Sequence, residues 1–143
     1  MRLIATLALL ALSLTVTAQA PEPEDPNKAD LKALQGTWQM IKAVKEGKAT
    51  DKDIKGVTMV IEKDTLTIKD GKRDEQVKIK VDPSKKPHQI DLEVGKGKIE
   101  TVKGIYKLEK DELSIRFAER GKDRPTSFDT KGEGGLLVFK RKK

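Results

Sequence analysis

Apolar and polar residues alternate one for one along most of this chain, and that period of two limits the fold more than any other feature. Val57, Met59 and Ile61 alternate with Thr58 and Glu62, and Leu66 and Ile68 with Thr65, Thr67 and Lys69. Val77, Ile79 and Val81 alternate with Lys78 and Lys80, and Ile90, Leu92 and Val94 with Asp91 and Glu93. Val102, Gly104, Tyr106 and Leu108 share a parity opposite Lys103 and Lys107, and Leu113, Ile115 and Phe117 lie opposite Ser114 and Arg116. Successive strand side chains point to opposite faces, so each run describes a strand with one apolar and one wet face.

Turn chemistry separates the runs. Asp70-Gly71 suits a tight hairpin, Asp82 to Pro87 carries two prolines, Gly95-Lys96-Gly97 turns the chain again, and Lys110-Asp111 makes another hairpin. Connections this short favour antiparallel neighbours in sequence order. A strand opens at Thr37, with Trp38, Met40 and Val44 on one parity and Lys42 interrupting, and Leu136 to Lys140 is the last strand. Pro125 to Thr130 reads as a further short edge strand. About eight such strands bury their apolar faces best by closing into a barrel, which also removes the edges. The expectation is an all-β protein, a single antiparallel up-and-down β-barrel of about eight strands with a short N-terminal helix. A two-sheet sandwich is the alternative.

Ahead of the strands, residues 1–18 read as a secretory signal peptide. Arg2 precedes an apolar run from Leu3 to Leu14, and small residues follow at Val16, Ala18 and Ala20. Cleavage is expected after Ala18, with a cut after Ala20 as the alternative, because Pro21 fits an extended scissile segment poorly. An uncleaved anchor is the competing reading, although the run falls short of the ~20 residues of a comfortable span. Residues 19–27, with Pro21-Glu-Pro-Glu-Asp-Pro26, form a flexible acidic linker. Residues 28–143 form the barrel domain. Asn27 is the expected N-cap of a helix over Lys28 to Gln35, with Leu31 and Leu34 on one edge and Gly36 as its stop. The protein is therefore expected to be exported, periplasmic or extracellular, with no stable membrane span after signal cleavage.

The 143-residue chain carries 37% charged residues, 3% aromatics and a formal net charge of +7. The lysines are spread along alternating strand positions without clustered arginine or stacking aromatics, which speaks against nucleic-acid binding. There is no cysteine, which excludes thiol chemistry and Cys-ligated zinc. His88 is the only histidine. One histidine with Asp82 and Asp91 as remote companions makes a poor metal site, and Ser84 lacks the setting of a nucleophile. Gly132 to Gly135 is glycine-rich but leads into a strand and lacks the Lys-Ser/Thr of a phosphate loop. The sequence thus predicts no enzyme, no cofactor and no metal.

Five segments in order resemble one family: Leu34-Gln35-Gly36-Thr37-Trp38; Asp82 to Pro87 with Ile90-Asp91-Leu92; Gly104-Ile105-Tyr106; Arg124 to Phe128; and Leu136 to Lys140. The Gly36-Thr37-Trp38 start is similar to the G-x-W opening of lipocalins. The wider pattern resembles a lipocalin-like domain family of planctomycete bacteria that has no established function. The resemblance implies a barrel and an extracytoplasmic setting, with the tryptophan closing the barrel floor. It supplies no catalytic residue.

Two non-enzymatic readings follow. In the first, the barrel binds a small apolar or amphipathic ligand in its mouth near Trp38, Met40 and Tyr106. In the second, a filled barrel meets anionic envelope or matrix polymers through its Lys-rich face, with Arg120, Lys122 and Arg124 as the densest basic cluster. Trp38 is also expected to act as a plug, with Arg141 stacked on it from the last strand.

Overall fold

A computed structural model describes residues 19–23, 25–50 and 54–143. Residues 1–18, read from the sequence as a signal peptide, lie outside the described residues. Among the described residues one helix precedes nine strands: α1 (Pro26–Leu34), β1 (Gly36–Lys45), β2 (Lys48–Ala49), β3 (Thr58–Glu62), β4 (Thr65–Lys69), β5 (Asp74–Asp82), β6 (His88–Val94), β7 (Glu100–Glu109), β8 (Glu112–Phe117) and β9 (Gly135–Arg141). Every pairing is antiparallel. β1 and β3 to β9 follow one another round the sheet, and β1 pairs with β9, which closes an eight-stranded barrel. β2 only extends the end of β1 as a small hairpin.

The parity read from the sequence holds for β3 to β8. Ile61 faces Leu66, Leu66 faces Val77, Val81 faces Ile90 and Tyr106 faces Ile115 across neighbouring strands. Together with Trp38, Met59, Leu113 and Phe139 they form one interior core. β1 is different. Its register with β9 slips between Met40 and Lys42, a β-bulge at Ile41. One extra residue reverses the facing of everything after it. Ala43 pairs with inward Leu137, while Val44 pairs with Leu136 and joins an outer cluster with Leu136, Val138 and Phe128. Val44 therefore does not share the face of Trp38, and Lys42 interrupts nothing.

The 118–134 connection between β8 and β9 contains no strand, so the edge strand expected at Pro125 to Thr130 is absent. Pro125 has no N–H to donate, and the segment instead lies on the outer wall. Phe128 packs on the outer cluster, and Lys107 sits over its ring at 4.9 Å. Beneath this side, Ile105, Ser114 and Arg116 are buried although they face away from the barrel interior.

The helix starts earlier than expected. Asp25 is the N-cap, its carboxylate accepting from the Asn27 amide at 3.0 Å, and Pro26 occupies the first turn. Proline suits that position because its missing N–H has no helical partner there. The helix lies across one end of the barrel, with Leu34 in the interior core and Leu31 against it.

Candidate functional site

The two ends of the barrel are built differently, and the difference places the candidate site. At the helix end the last turn of α1 presents carbonyls that no helical N–H can reach. Side chains take them up. The Trp38 indole N–H donates to the Leu34 carbonyl at 3.0 Å, and the Gln35 amide donates to the Leu31 carbonyl at 2.9 Å. Arg141 donates to the Gln35 and Ala33 carbonyls, both at 2.8 Å. Its guanidinium also lies 4.2 Å from the centre of the Trp38 ring, the contact expected from the lipocalin-like start with Arg141 on the inward parity of β9. The Gln35 side chain further exchanges two hydrogen bonds with the Lys63 backbone in the β3–β4 turn. Gly36 lets this happen. Its φ is +121°, and a Cβ there would stand 3.2 Å from the Arg141 guanidinium. Trp38 is 0% exposed. This end is shut.

Beside the plug lies a polar trio. The Tyr106 hydroxyl donates to the Asp30 carboxylate of the helix. The His88 ring meets Tyr106 edge-on at 5.3 Å, with Nδ1 3.8 Å from the same carboxylate. Burial first, then the bond and charge of Asp30, push the Tyr106 phenol well above its ordinary range. The trio ties α1 to β6 and β7. It holds no nucleophile activated by a base, because a tyrosine held neutral is a poor one. Among the described residues no group of three His, Cys, Asp or Glu side chains could hold a metal ion, and no helix is long and apolar enough to cross a membrane.

The opposite end is open. A cavity of about 180 Å³ runs into the barrel between Met59, Leu66, Ile68, Val77, Leu92 and Phe117, among others. Among the described residues Glu75 is the only ionisable one in its lining. Above it lies a wider polar vestibule of about 450 Å³ that shares Ile68, Glu75 and Val77 and adds Arg73, Lys96 and Arg120. Asp70 also borders the vestibule, but its carboxylate is occupied by the Lys72 and Arg73 amides of the β4–β5 turn. The Arg73 amide first, then that of Lys72, hold it below the usual carboxylate range.

The residues singled out in the sequence distribute unevenly over this geometry. Trp38, Met40 and Tyr106 belong to or pack on one interior core. Trp38 and Tyr106 are at most 1% exposed, and none of the three lines the mouth cavity. Arg120, Lys122 and Arg124 do not converge. Arg120 turns to Glu100 at 3.7 Å and borders the vestibule. Lys122 pairs with Glu133 at 3.7 Å. Arg124 lies against Asp91 at 2.7 Å and donates to the Ile90 and Gly104 carbonyls, stitching the 118–134 connection to β6 and β7. Most cavity residues already stood in the inward set of the sequence. Glu75 did not, although its parity with Val77 and Ile79 is a charge on an inward face.

No protein-family model matches the chain, and neither a curated protein nor a solved structure matches it.

Proposed function

We propose that this protein is an exported, non-enzymatic binder of a small amphipathic ligand, held at the open end of the barrel in the manner of lipocalins. The observation that carries this reading is the apolar cavity at the mouth, continuous through Ile68, Glu75 and Val77 with a charged vestibule. At about 30 Å³ for a water-sized group, 180 Å³ takes about six such groups. That suits a short alkyl chain or one ring, and it is below the 300–1,000 Å³ range of sites that enclose a drug-sized molecule. The rest of the ligand then lies in the vestibule among Arg73, Glu75 and Lys96. The inside supplies apolar surface and the rim supplies charge, and together they select an amphipathic molecule. Export and signal cleavage complete the proposal, and N-terminal sequencing of the secreted chain, expected to begin at Gln19, checks them.

Calorimetric titration with straight-chain alkanols tests the binding. Affinity is expected to rise by about 0.8 kcal/mol per methylene until the cavity is full, near about six groups, and then to level off. The heat capacity change of binding is expected to be negative. An affinity that does not depend on chain length counts against the cavity as the site.

A further inference from the structure

The throat between the mouth cavity and its vestibule carries a single charge, and that charge bears on the head group of the ligand. Ile68, Glu75 and Val77 are common to the two spaces. Ile68 and Glu75 face one another across β4 and β5. Ile68 and Val77 are half-buried, and Glu75 is exposed. Glu75 shares the inward parity of Val77 and Ile79 in β5, so a strand rather than a turn holds it at the opening. No cation among the described residues comes within ion-pair distance of its carboxylate.

The cations of this end stand farther out. Arg73, Lys96 and Arg120 border the vestibule but not the cavity, and Arg120 turns to Glu100 at 3.7 Å. Asp70, Asp74 and Glu75 match them in number round the vestibule, so the outer space has no preferred sign. The throat has one. The size of the apolar space fixes where a head group rests. A tail of about six groups fills 180 Å³, and the atom that follows it lies at the throat. A carboxylate there would meet Glu75 as a like charge and give up water to apolar walls without a partner. An ammonium there gains a charge-assisted hydrogen bond at the edge of an apolar surface, where water competes less.

We propose that the barrel mouth takes a primary aliphatic amine, its alkyl tail in the cavity and its ammonium on the Glu75 carboxylate. This rests on the reading of the cavity as the ligand site, and it adds the class of ligand and the residue that selects it.

The test is calorimetric titration of the full chain at neutral pH with hexanol, hexylamine and hexanoate, which share one tail length. Hexylamine is expected to bind at least about tenfold tighter than hexanol, and hexanoate more weakly than hexanol. Added salt is expected to narrow the gap between hexylamine and hexanol. E75Q, which keeps the shape and removes the charge, is expected to bring hexylamine down to the affinity of hexanol and to leave hexanol unchanged. Should E75Q fail to fold, the order of the three probes and its salt dependence on the native chain decide the matter. If hexanol binds and hexylamine binds no tighter, or if hexanoate binds tightest, the proposal is overturned while the cavity remains the site. An advantage of hexylamine that survives in E75Q overturns it as well. If none of the three binds, the reading of the cavity fails and the proposal fails with it.

Discussion

Replacing Arg141 with methionine is expected to open the closed end of the barrel. Methionine keeps an apolar stem over Trp38 and removes everything else. Lost are two hydrogen bonds at 2.8 Å to the Gln35 and Ala33 carbonyls and the stacking at 4.2 Å on the indole. A pairing with Asp111 at 3.8 Å also goes. A hydrogen bond from a charged donor contributes about 1.5–3 kcal/mol, and the low end applies because the Arg141 side chain is 31% exposed. The stacked cation adds about 0.5–1 kcal/mol, and the long, exposed contact with Asp111 adds close to nothing. The expected loss is therefore about 3.5–4 kcal/mol. In urea, with a slope of about 1.5 kcal/mol/M, the unfolding midpoint falls by about 2.5 M. Arg141→Lys keeps the charge but not the fork and is expected to lose about half as much. Lys140→Met, exposed one position earlier, is the control and stays within about 0.5 kcal/mol. A loss for Arg141→Met no larger than that of the control would refute the view that this side chain clamps the helix over Trp38.

Further consequences follow from other contacts. Gly104→Ala places a Cβ 2.7 Å from the Arg116 carbonyl oxygen and 3.2 Å from Ile90; backbone cannot yield there, and thermal unfolding should show a loss of about 1–3 kcal/mol. Tyr106→Phe leaves the Asp30 carboxylate without its hydroxyl donor and is expected to cost about 1 kcal/mol, read by urea denaturation. The raised pKa of Tyr106 also fixes the sign of alkaline behaviour. The folded protein holds the phenol proton more tightly than the unfolded chain does, so this contribution is complete below the ordinary value of 10.0 and is lost as pH rises beyond it. Phenolate absorbance should therefore rise together with loss of near-ultraviolet circular dichroism, and a phenolate formed in a still-folded protein would contradict it. Val77→Trp, at the mouth of the cavity, is expected to abolish the chain-length dependence of alkanol binding while costing at most about 3 kcal/mol of stability.

The barrel was legible because alternation is a local signal and short turns leave few topologies. From Val57 to Phe117 the inward parity of the sequence is the inward parity of the structure; the same counting put Arg141 on the inward face, and the resemblance to lipocalins put a basic side chain of the last strand over Trp38. What escaped was set by events that period alone does not encode. The bulge at Ile41 moves Val44 to the outside, and Lys42, out of step with its neighbours, was its only trace. The covered outer wall had a clearer trace. Ile105, Leu136 and Val138 are apolar on the wet parity, which makes sense only if something lies over them. That something is the 118–134 connection, whose proline and glycines made it read as an edge strand and a loose loop. Arg116 was hidden for the same reason, as its parity placed it in solvent. Trp38, Met40 and Tyr106, expected from the sequence to lie in the barrel mouth, sit at the closed end. The cavity lies at the other, where inward side chains leave the middle of the barrel mouth unfilled.

The open end of the barrel, not the tryptophan end, is proposed to receive the ligand. Native mass spectrometry of the full chain, after exposure to an extract of its own source cells, tests it most directly when run beside Val77→Trp. A reproducible non-covalent adduct of small mass is expected on the native chain, missing from Val77→Trp and retained by Lys140→Met. An adduct that survives Val77→Trp, or a bare protein mass throughout, would contradict it, and the bare mass would turn the search to the Lys-rich outer face.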